Sequence, residues 1–268
     1  MIKAIAHRFF NEWLHPEGNA LPSREPGAAF RVNLLGGDRS LNAGIAIYRL
    51  QISSENSNDL ITVVCARDSE LSRDEYLDEL DEYDLAEIAL CKSDAAYQKQ
   101  VASRVLRRKA LTIATDGEVA VNQWKFGRTK EGKPYICEGF PEISFSITHC
   151  DGATFAAVST QYNIGIDAEL AEGIVEDALI NDVLSIGEYQ SLRGLPEDKR
   201  NSRFFELWTL KEAYTKLTGT GLAVDLKQIA FELNSQCVDA IGHNLQARFL
   251  TWKTFNGSSS CQIALALR

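Results

Sequence analysis

The chain has 268 residues and a formal net charge of −9, and 45% of its residues are hydrophobic and 24% are charged. This composition is typical of a globular protein that buries its own core, and the acidic balance excludes general nucleic-acid binding, which requires a basic face. No stretch approaches the ~20 apolar residues of a membrane-spanning helix. Neither the six cysteines nor the four histidines have the spacing of a zinc site.

Residues 1–19 contain no continuous apolar run and no small-residue cleavage site, so they do not have the pattern of a signal peptide. We therefore expect a cytoplasmic protein with neither a membrane nor a nucleic acid as its partner.

In the first half of the chain the apolar pattern predicts two strands, at residues 43–52 and 60–66. The acid-rich segment 68–88 has the apolar spacing of one or two amphipathic helices. Residues 94–111 predict a longer helix, basic on one side and capped at Ser93 or at the residue after it.

The second half predicts strands, then helices, then strands again. The predicted strands are 143–148, 153–159 and 163–169, the helices are 175–184, 186–192 and 199–217, and the late strands are 226–233, 246–253 and 262–267. A strand, an acidic helix and a long helix thus occur in the same order at about 60–110 and at 163–217. We predict an α+β fold of two similar halves in a pseudo-twofold arrangement, residues 1–159 and 160–268, with the ligand site in the crevice between them.

The segment Gly165-Ile166-Asp167-Ala168-Glu169 places two carboxylates on one side of a strand, because side chains two residues apart point the same way. Paired like charges on an otherwise apolar strand are costly unless a cation lies between them. Mg²⁺ would satisfy them, since it takes oxygen ligands from carboxylates and phosphates. The alternative is a strand end that emerges into solvent with both carboxylates hydrated.

The strongest helix, 199–217, contains four side chains at spacings of three or four, so we expect them to share one face. They are Phe205, Trp208, Glu212 and Lys216. Glu212 before Lys216 is the favourable order for an ion pair. The alternative interpretation is a surface ion pair beside an aromatic stripe of the core.

Two further segments carry polar groups. Gly132-Lys133-Pro134 predicts a turn with a cation at its tip, which either binds a phosphate or is solvated. Ser146-Ile147-Thr148-His149 ends a strand, where His149 either donates to a phosphate oxygen or is a satisfied polar residue.

Taken in order, the segments GKP, FSITH, GIDAE and FFELWTLKEAYTK closely resemble the 4′-phosphopantetheinyl transferase superfamily. The length and the two-half organisation resemble its larger, monomeric, Sfp-like branch. The resemblance covers about residues 97–222. Its two central motifs, G-I-D-x-E and W-[ST]-x-K-E-x-x-x-K, are specific in combination.

The resemblance implies roles for individual residues. It implies that Asp167, Glu169 and Glu212 bind Mg²⁺, with Mn²⁺ as an alternative ion, and that Glu212 deprotonates the acceptor serine directly or through a water. The residues implied to contact coenzyme A are Lys99, Lys133, Pro134, Thr148, His149 and Lys216. The implied catalytic set is Glu212, Lys216 and His149, while Trp208 and Lys211 support the site.

Two positions depart from the family pattern. Thr148 stands where many relatives have serine, which keeps a hydroxyl. Lys99 stands where relatives often have arginine, and a lysine lacks the bidentate geometry of a guanidinium. The basic face formed by residues 104–109 is left with two possible roles, binding the nucleotide end of coenzyme A or docking an acidic carrier.

The implied reaction is transfer of the 4′-phosphopantetheine moiety of coenzyme A to a serine of an acyl or peptidyl carrier protein, with release of 3′,5′-ADP. The resemblance also implies that a monomer suffices. Two rival hypotheses are a magnesium enzyme that uses the same carboxylates for hydrolysis, and a noncatalytic module that binds carriers.

Overall fold

The computed structural model describes residues 21–22, 31–38, 45–53, 58–72, 74–130, 132–137, 143–233, 238–241, 247–256 and 259–268. The chain divides into two compact units, which we name by their longest segments. The N-terminal unit consists of Asn33–Ile52 and Ser57–Ile164, and the C-terminal unit of Met1–Val32, Ser53–Asn56 and Gly165–Arg268. The main change of unit thus falls between Ile164 and Gly165, and the division predicted at residue 159 stays a prediction.

Strands, helices and short 3₁₀ turns make up the two units. In chain order, the strands are β1 (Leu21–Pro22), β2 (Arg31–Asp38), β3 (Ile45–Ser53), β4 (Asn58–Arg67), β5 (Phe126–Arg128), β6 (Pro134–Ile136), β7 (Ser144–Cys150), β8 (Ala153–Ser159), β9 (Ile164–Leu170), β10 (Ala230–Leu233), β11 (Val238–Ile241), β12 (Arg248–Asn256) and β13 (Ser259–Leu267). The helices are α1 (Asp68–Leu71), α2 (Glu82–Ile88), α3 (Asp94–Ala114), α4 (Asp177–Val183), α5 (Ile186–Arg193) and α6 (Glu197–Thr218). The 3₁₀ turns lie at Asp74–Glu79, Val121–Gln123, Gly221–Ala223 and Leu226–Gln228.

The N-terminal unit is built on a sheet of five strands in the order β2-β3-β4-β8-β7. Helix α3 covers this sheet because its apolar residues Val101, Val105 and Leu106 are fully buried in the unit's core. The helix begins where the sequence predicts, since the hydroxyl of Ser93 accepts a hydrogen bond from the amide of Ala96 at 3.3 Å.

The C-terminal unit contains a sheet in the order β1-β12-β13-β9, and α6 packs against this sheet. Leu210, Ala213 and Leu217 of α6 are buried in a core that also contains Phe249 of β12. Helix α6 ends at Gly219, whose φ of 74° is the left-handed conformation that favours glycine.

The mixed α+β class is confirmed, and so are the predicted long helices and most of the predicted strands. The sequence missed β2 and β11, and segment 68–88 forms only two short helices and a 3₁₀ turn. Segment 226–233 contains a 3₁₀ turn before its strand. Among the described residues, none of the helices combines the length and apolar character that a bilayer span requires.

The basic side of α3 differs from the expectation drawn from its sequence. Arg108 is 0% exposed, and Arg104 and Arg107 are also buried, because all three surround the buried carboxylate of Asp84. Arg108 pairs with Asp84 at 2.7 Å, and Arg104 also pairs with Glu87. These three arginines therefore hold α2 against α3 and are not a free basic surface for a nucleotide or a carrier.

The α6 residue Lys211 is the most completely enclosed cation of the C-terminal unit's described part, with 0% of its surface exposed. Its ammonium pairs with Glu188 of α5 at 2.7 Å. It also donates to the carbonyls of Val183, Leu226 and Ile229 at 3.0, 2.9 and 2.6 Å. One side chain thus connects α6 to the end of α4, to α5 and to the turn before β10, which agrees with its expected supporting role.

Lys211→Met should lower the free energy of unfolding by about 3–5 kcal/mol, because the substitution leaves the buried Glu188 carboxylate without its cation. Urea denaturation measures this change. Lys199→Met, at an exposed position of the same helix, is the matched control and should stay within about 0.5 kcal/mol of the wild type. Equal stability of the two variants would contradict this role of Lys211.

Candidate active site

Strand β9 presents alternate side chains to helix α6. Ile166 and Ala168 are buried on one face, and Gly165, Asp167 and Glu169 lie on the other. This second face meets α6 through three contacts, one at each of its residues. The predicted placement of the two carboxylates on one side of the strand is therefore observed.

The first contact is the close approach of the two backbones at Gly165. A Cβ atom on this residue would lie 2.0 Å from the carbonyl oxygen of Ala213 and 2.5 Å from the amide nitrogen of Leu217. Both are backbone atoms of the helix, so no rotation of a side chain could relieve such a clash. Only glycine lets β9 lie this close to α6.

The other two contacts are polar. The ammonium of Lys216 lies 2.6 Å from Oδ1 of Asp167, whose side chain is buried, while 31% of the Lys216 side chain is exposed. The indole nitrogen of Trp208 donates to Oε1 of Glu169 at 3.1 Å. Trp208 also stacks on the buried ring of Phe204, which agrees with its expected role in support.

Glu212 lies between Trp208 and Lys216 on the same face of α6, and its environment is electrostatically unusual. Burial raises the pKa of Glu212, the negative charges of Asp167 and Glu169 raise it further, and Lys216 opposes them. Its Oε1 atom is buried and finds no hydrogen-bond partner within the described part of the protein. Asp167 and Glu169 are thus near enough to Glu212 for their charges to act on its carboxylate.

Across the described residues, no group of three or more histidine, cysteine, aspartate or glutamate side chains is arranged to hold a metal ion. In this structure the ammonium of Lys216 is the cation beside Asp167. The predicted metal ligands Asp167, Glu169 and Glu212 therefore stay a prediction, supported by the kind of donor atoms and by the repulsion that Asp167 and Glu169 exert on Glu212.

The remaining predicted residues belong to the N-terminal unit. His149 lies on β7, and its Nδ1 is 3.0 Å from the hydroxyl of Thr154 on β8. That hydroxyl donates to Oδ1 of Asp68 at 2.6 Å. Sequence reasoning missed Thr154 and Asp68. The dipeptide Asp151-Gly152 is a signal from which Thr154 could have been identified, because a two-residue hairpin turn places Thr154 opposite His149.

Lys99 is exposed on α3. Burial raises the pKa of Asp68, and Lys99 lies near enough to this carboxyl to oppose that rise. It is therefore brought into the neighbourhood of His149. Thr148 is buried and pairs with Phe155, so it faces the opposite side of the sheet from His149.

Lys133 and Pro134 lie in the β5–β6 hairpin, where the sequence predicts a turn. The amide of Lys133 donates to the hydroxyl of Thr129 at 3.2 Å, and the amide of Gly132 donates to the carbonyl of Thr129 at 2.9 Å. Pro134 opens β6. The turn is confirmed, and the coenzyme A contacts expected of Lys133, Pro134, Thr148 and Lys99 stay predictions.

Comparison with protein families gives an independent assignment for the part of the chain that carries β9 and α6. Residues 163–266 match the family model of the 4′-phosphopantetheinyl transferase superfamily. Over these residues the chain is similar to that superfamily. The resemblance predicted from the GIDAE and WTLKEAYTK motifs is confirmed.

Individual relatives agree with this assignment. The chain is 35% identical over 108 residues to 4′-phosphopantetheinyl transferase HetI of Nostoc sp., an alignment that covers 39% of this chain and 46% of that protein. It is 28% identical over 141 residues to 4′-phosphopantetheinyl transferase Sfp of Bacillus subtilis, covering 52% and 62%. It is 32% identical over 168 residues to the L-aminoadipate-semialdehyde dehydrogenase-phosphopantetheinyl transferase of Eremothecium gossypii, covering 58% and 60%.

The alignment with HetI therefore spans about half of that relative's length. The similarity to Sfp and HetI is consistent with the Sfp-like branch of the superfamily.

Gly165→Ala should lower the free energy of unfolding by about 2–3 kcal/mol, because the new methyl group overlaps the backbone of α6. Urea denaturation followed by the fluorescence of Trp208 and the other tryptophans would measure the loss. Gly187→Ala on α5 is the matched control, since a Cβ there meets no atom within 4 Å. This control should be neutral or stabilising by up to about 1 kcal/mol, because alanine is the better helix former. Full stability of Gly165→Ala would contradict the close packing.

Proposed function

We propose that the protein transfers the 4′-phosphopantetheine moiety of coenzyme A to a serine of an acyl or peptidyl carrier protein and releases 3′,5′-ADP. The observation that carries the proposal is the face of α6 on which Glu212 and Lys216 meet Asp167 and Glu169 of β9, within the domain that matches the superfamily. Carboxylate oxygens that bind a metal ion and an ammonium beside them are the groups needed to position a diphosphate ester and to stabilise its charge.

Asp167, Glu169 and Glu212 are the residues that would hold Mg²⁺, or Mn²⁺ in its place. Their donor set fits a hard cation, since all the atoms are carboxylate oxygens and Oε1 of Glu212 is a buried acceptor with no hydrogen-bond partner among the described residues. A cation at this point would also relieve the repulsion that raises the pKa of Glu212. When bound, Mg²⁺ supplies Lewis-acid stabilisation of the diphosphate charge.

Lys216 is the residue best placed to neutralise substrate charge. Its ammonium is held against Asp167 but part of its side chain is exposed, so it is able to donate to a phosphate oxygen that enters the site. Stabilisation of the charge that develops on the diphosphate is the main contribution expected of such a donor. Lys99, Lys133, Thr148 and His149 would contact other parts of coenzyme A.

Glu212 is the proposed base for the carrier serine, directly or through one water. Its buried Oε1 atom has no hydrogen-bond partner among the described residues, so it is able to accept a proton from the serine or from a water that lies between them. The serine oxygen then attacks the β-phosphorus of coenzyme A. The bond from this phosphorus to the bridging oxygen breaks, and 3′,5′-ADP leaves with that oxygen.

The proposed setting is a monomer in the cytoplasm, where coenzyme A and newly made apo carrier proteins would be available to it. The carrier class is that of fatty-acid, polyketide, polyunsaturated-lipid or nonribosomal-peptide synthesis. The rival noncatalytic hypothesis does not explain why Asp167, Glu212 and Lys216 are brought together.

The test is intact-mass spectrometry of a panel of apo carrier proteins from these four systems, incubated with the enzyme, coenzyme A and Mg²⁺. We expect one carrier or more to gain the mass of one phosphopantetheine, and EDTA to prevent the gain. Asp167→Asn should slow loading by at least about 10²-fold, because it removes a charged ligand beside the reacting diphosphate.

Glu206→Gln is the matched control, because Glu206 is a carboxylate of the same helix that instead pairs with Arg203 at 3.3 Å. It should load carriers at the wild-type rate. Failure of the wild type to modify any carrier in the panel, or unchanged loading by Asp167→Asn, would overturn the proposed function.

A further inference from the structure

The buried residue Thr154 belongs to none of the motifs that mark the chain, yet it contacts one of the predicted site residues. It lies on β8 directly opposite His149 of β7 in the antiparallel register. Its side chain is 0% exposed, so its hydroxyl must find partners within the protein. These partners are His149 and Asp68.

The direction of the two hydrogen bonds follows from the number of protons available. The hydroxyl of Thr154 donates to Oδ1 of Asp68 at 2.6 Å, and its oxygen lies 3.0 Å from Nδ1 of His149. A threonine hydroxyl has one proton, and an ionised carboxylate only accepts. Because that proton is directed to Asp68, the Thr154 oxygen must accept from His149, which requires a proton on Nδ1.

Asp68 is held in position by the same turn that sets the register of His149 and Thr154. Its amide donates to the carbonyl of Gly152 at 2.9 Å. Asp151 and Gly152 have φ values of 48° and 68°, the left-handed pair typical of a two-residue hairpin turn. The turn, the end of β4 and the His149–Thr154 pair therefore form one local unit.

Opposing effects act on the pKa of Asp68, and the net result is a raised pKa. Burial raises the pKa of Asp68, while the hydrogen bond from Thr154 and the ammonium of Lys99 lower it. Lys99 thus favours the ionised carboxylate that the hydrogen-bond directions require.

We propose that Asp68 and Thr154 are positioning residues for His149, which hold the imidazole with a proton on Nδ1 and so assign the phosphate contact to Nε2. The inference rests on the proposed function, in which His149 contacts a coenzyme A phosphate. With Nδ1 already donating, Nε2 donates to a phosphate oxygen only when the ring is an imidazolium, and the carboxylate behind Thr154 stabilises that cation.

The tautomer is measured on the free protein. The chain contains four histidines, so uniform ¹⁵N-histidine labelling gives four imidazole patterns in a long-range ¹H–¹⁵N correlation spectrum, and His149→Gln identifies the one to follow. At about pH 8, where an ordinary imidazole is neutral, we expect His149 as the Nδ1-protonated tautomer.

Two variants interrupt the hydrogen bonds that run from His149 through Thr154 to Asp68, which we call the relay. Thr154→Val keeps the shape but removes the acceptor of the Nδ1 proton, so the ring should shift towards the Nε2-protonated tautomer. Asp68→Ala lets the Thr154 hydroxyl turn and donate to Nδ1, with the same result. Thr154→Ser retains the hydroxyl and should keep the wild-type tautomer.

The kinetic readout separates positioning from a structural effect. Thr154→Val should raise the KM for coenzyme A on the order of 10-fold, with a smaller change in kcat, because the ring loses the acceptor that stabilises its imidazolium form and a neutral ring makes a weaker hydrogen bond to phosphate. Thr62→Val, at a buried threonine of β4 in the same sheet, is the matched control and should leave the tautomer and the KM unchanged.

A wild-type spectrum with the proton on Nε2, or a Thr154→Val spectrum identical to that of the wild type, would overturn the relay. If the wild-type enzyme loads a carrier but His149 carries its proton on Nε2, the relay is overturned and the proposed function stands. The expected tautomer in a protein that loads no carrier would instead overturn the proposed function and leave the relay supported.

Discussion

The close packing of β9 against α6 at Gly165 is the constraint on which the candidate site depends. Because the strand has no side chain at that point, the helix backbone comes near enough for Lys216 to meet Asp167 and for Trp208 to meet Glu169. A larger residue would move the helix away and separate these pairs. Gly165 has no side chain that could take part in the chemistry, but its small size allows the charged residues of β9 and α6 to contact one another.

Both units place ionic groups in their interiors, where removal of one partner is costly. In the N-terminal unit three arginines of α3 surround Asp84, and in the C-terminal unit Lys211 pairs with Glu188 and with three carbonyls. Neither group includes a residue proposed to contact substrate. They hold helices α3 and α6 in place, and these helices carry Lys99 in one unit and Glu212 with Lys216 in the other.

The elements with long, regular patterns could be predicted from the sequence, and the site motif with them. The spacing of four from Trp208 to Glu212 to Lys216 and the alternation of Gly165, Asp167 and Glu169 place these side chains on two faces. Neither pattern shows that the face of β9 packs against the face of α6. Gly165 is the residue that marks the point of contact. The segment 68–88 was predicted less well, because its short helices depend on Asp84 binding arginines far along the chain.

Charge alone was a misleading guide on α3. Arginines in a sequence suggest a solvated or ligand-binding face, and only the position of Asp84 shows that these arginines are enclosed. Asp68 and Thr154 were missed because a single aspartate and a single threonine form no sequence pattern that would indicate a function. The contact of Thr154 with His149, and through Thr154 the link to Asp68, depends on strand pairing, which the Asp151-Gly152 turn sets.

The central claim, that the phosphopantetheine group is transferred to a protein, is tested most directly by counting the products of one reaction mixture. Holo carrier, 3′,5′-ADP and free phosphopantetheine are quantified together by liquid chromatography and mass spectrometry over a single time course. The account predicts one 3′,5′-ADP for each holo carrier and no accumulation of free phosphopantetheine. Release of 3′,5′-ADP with free phosphopantetheine and an unmodified carrier would contradict it, because the site would then be that of a hydrolase.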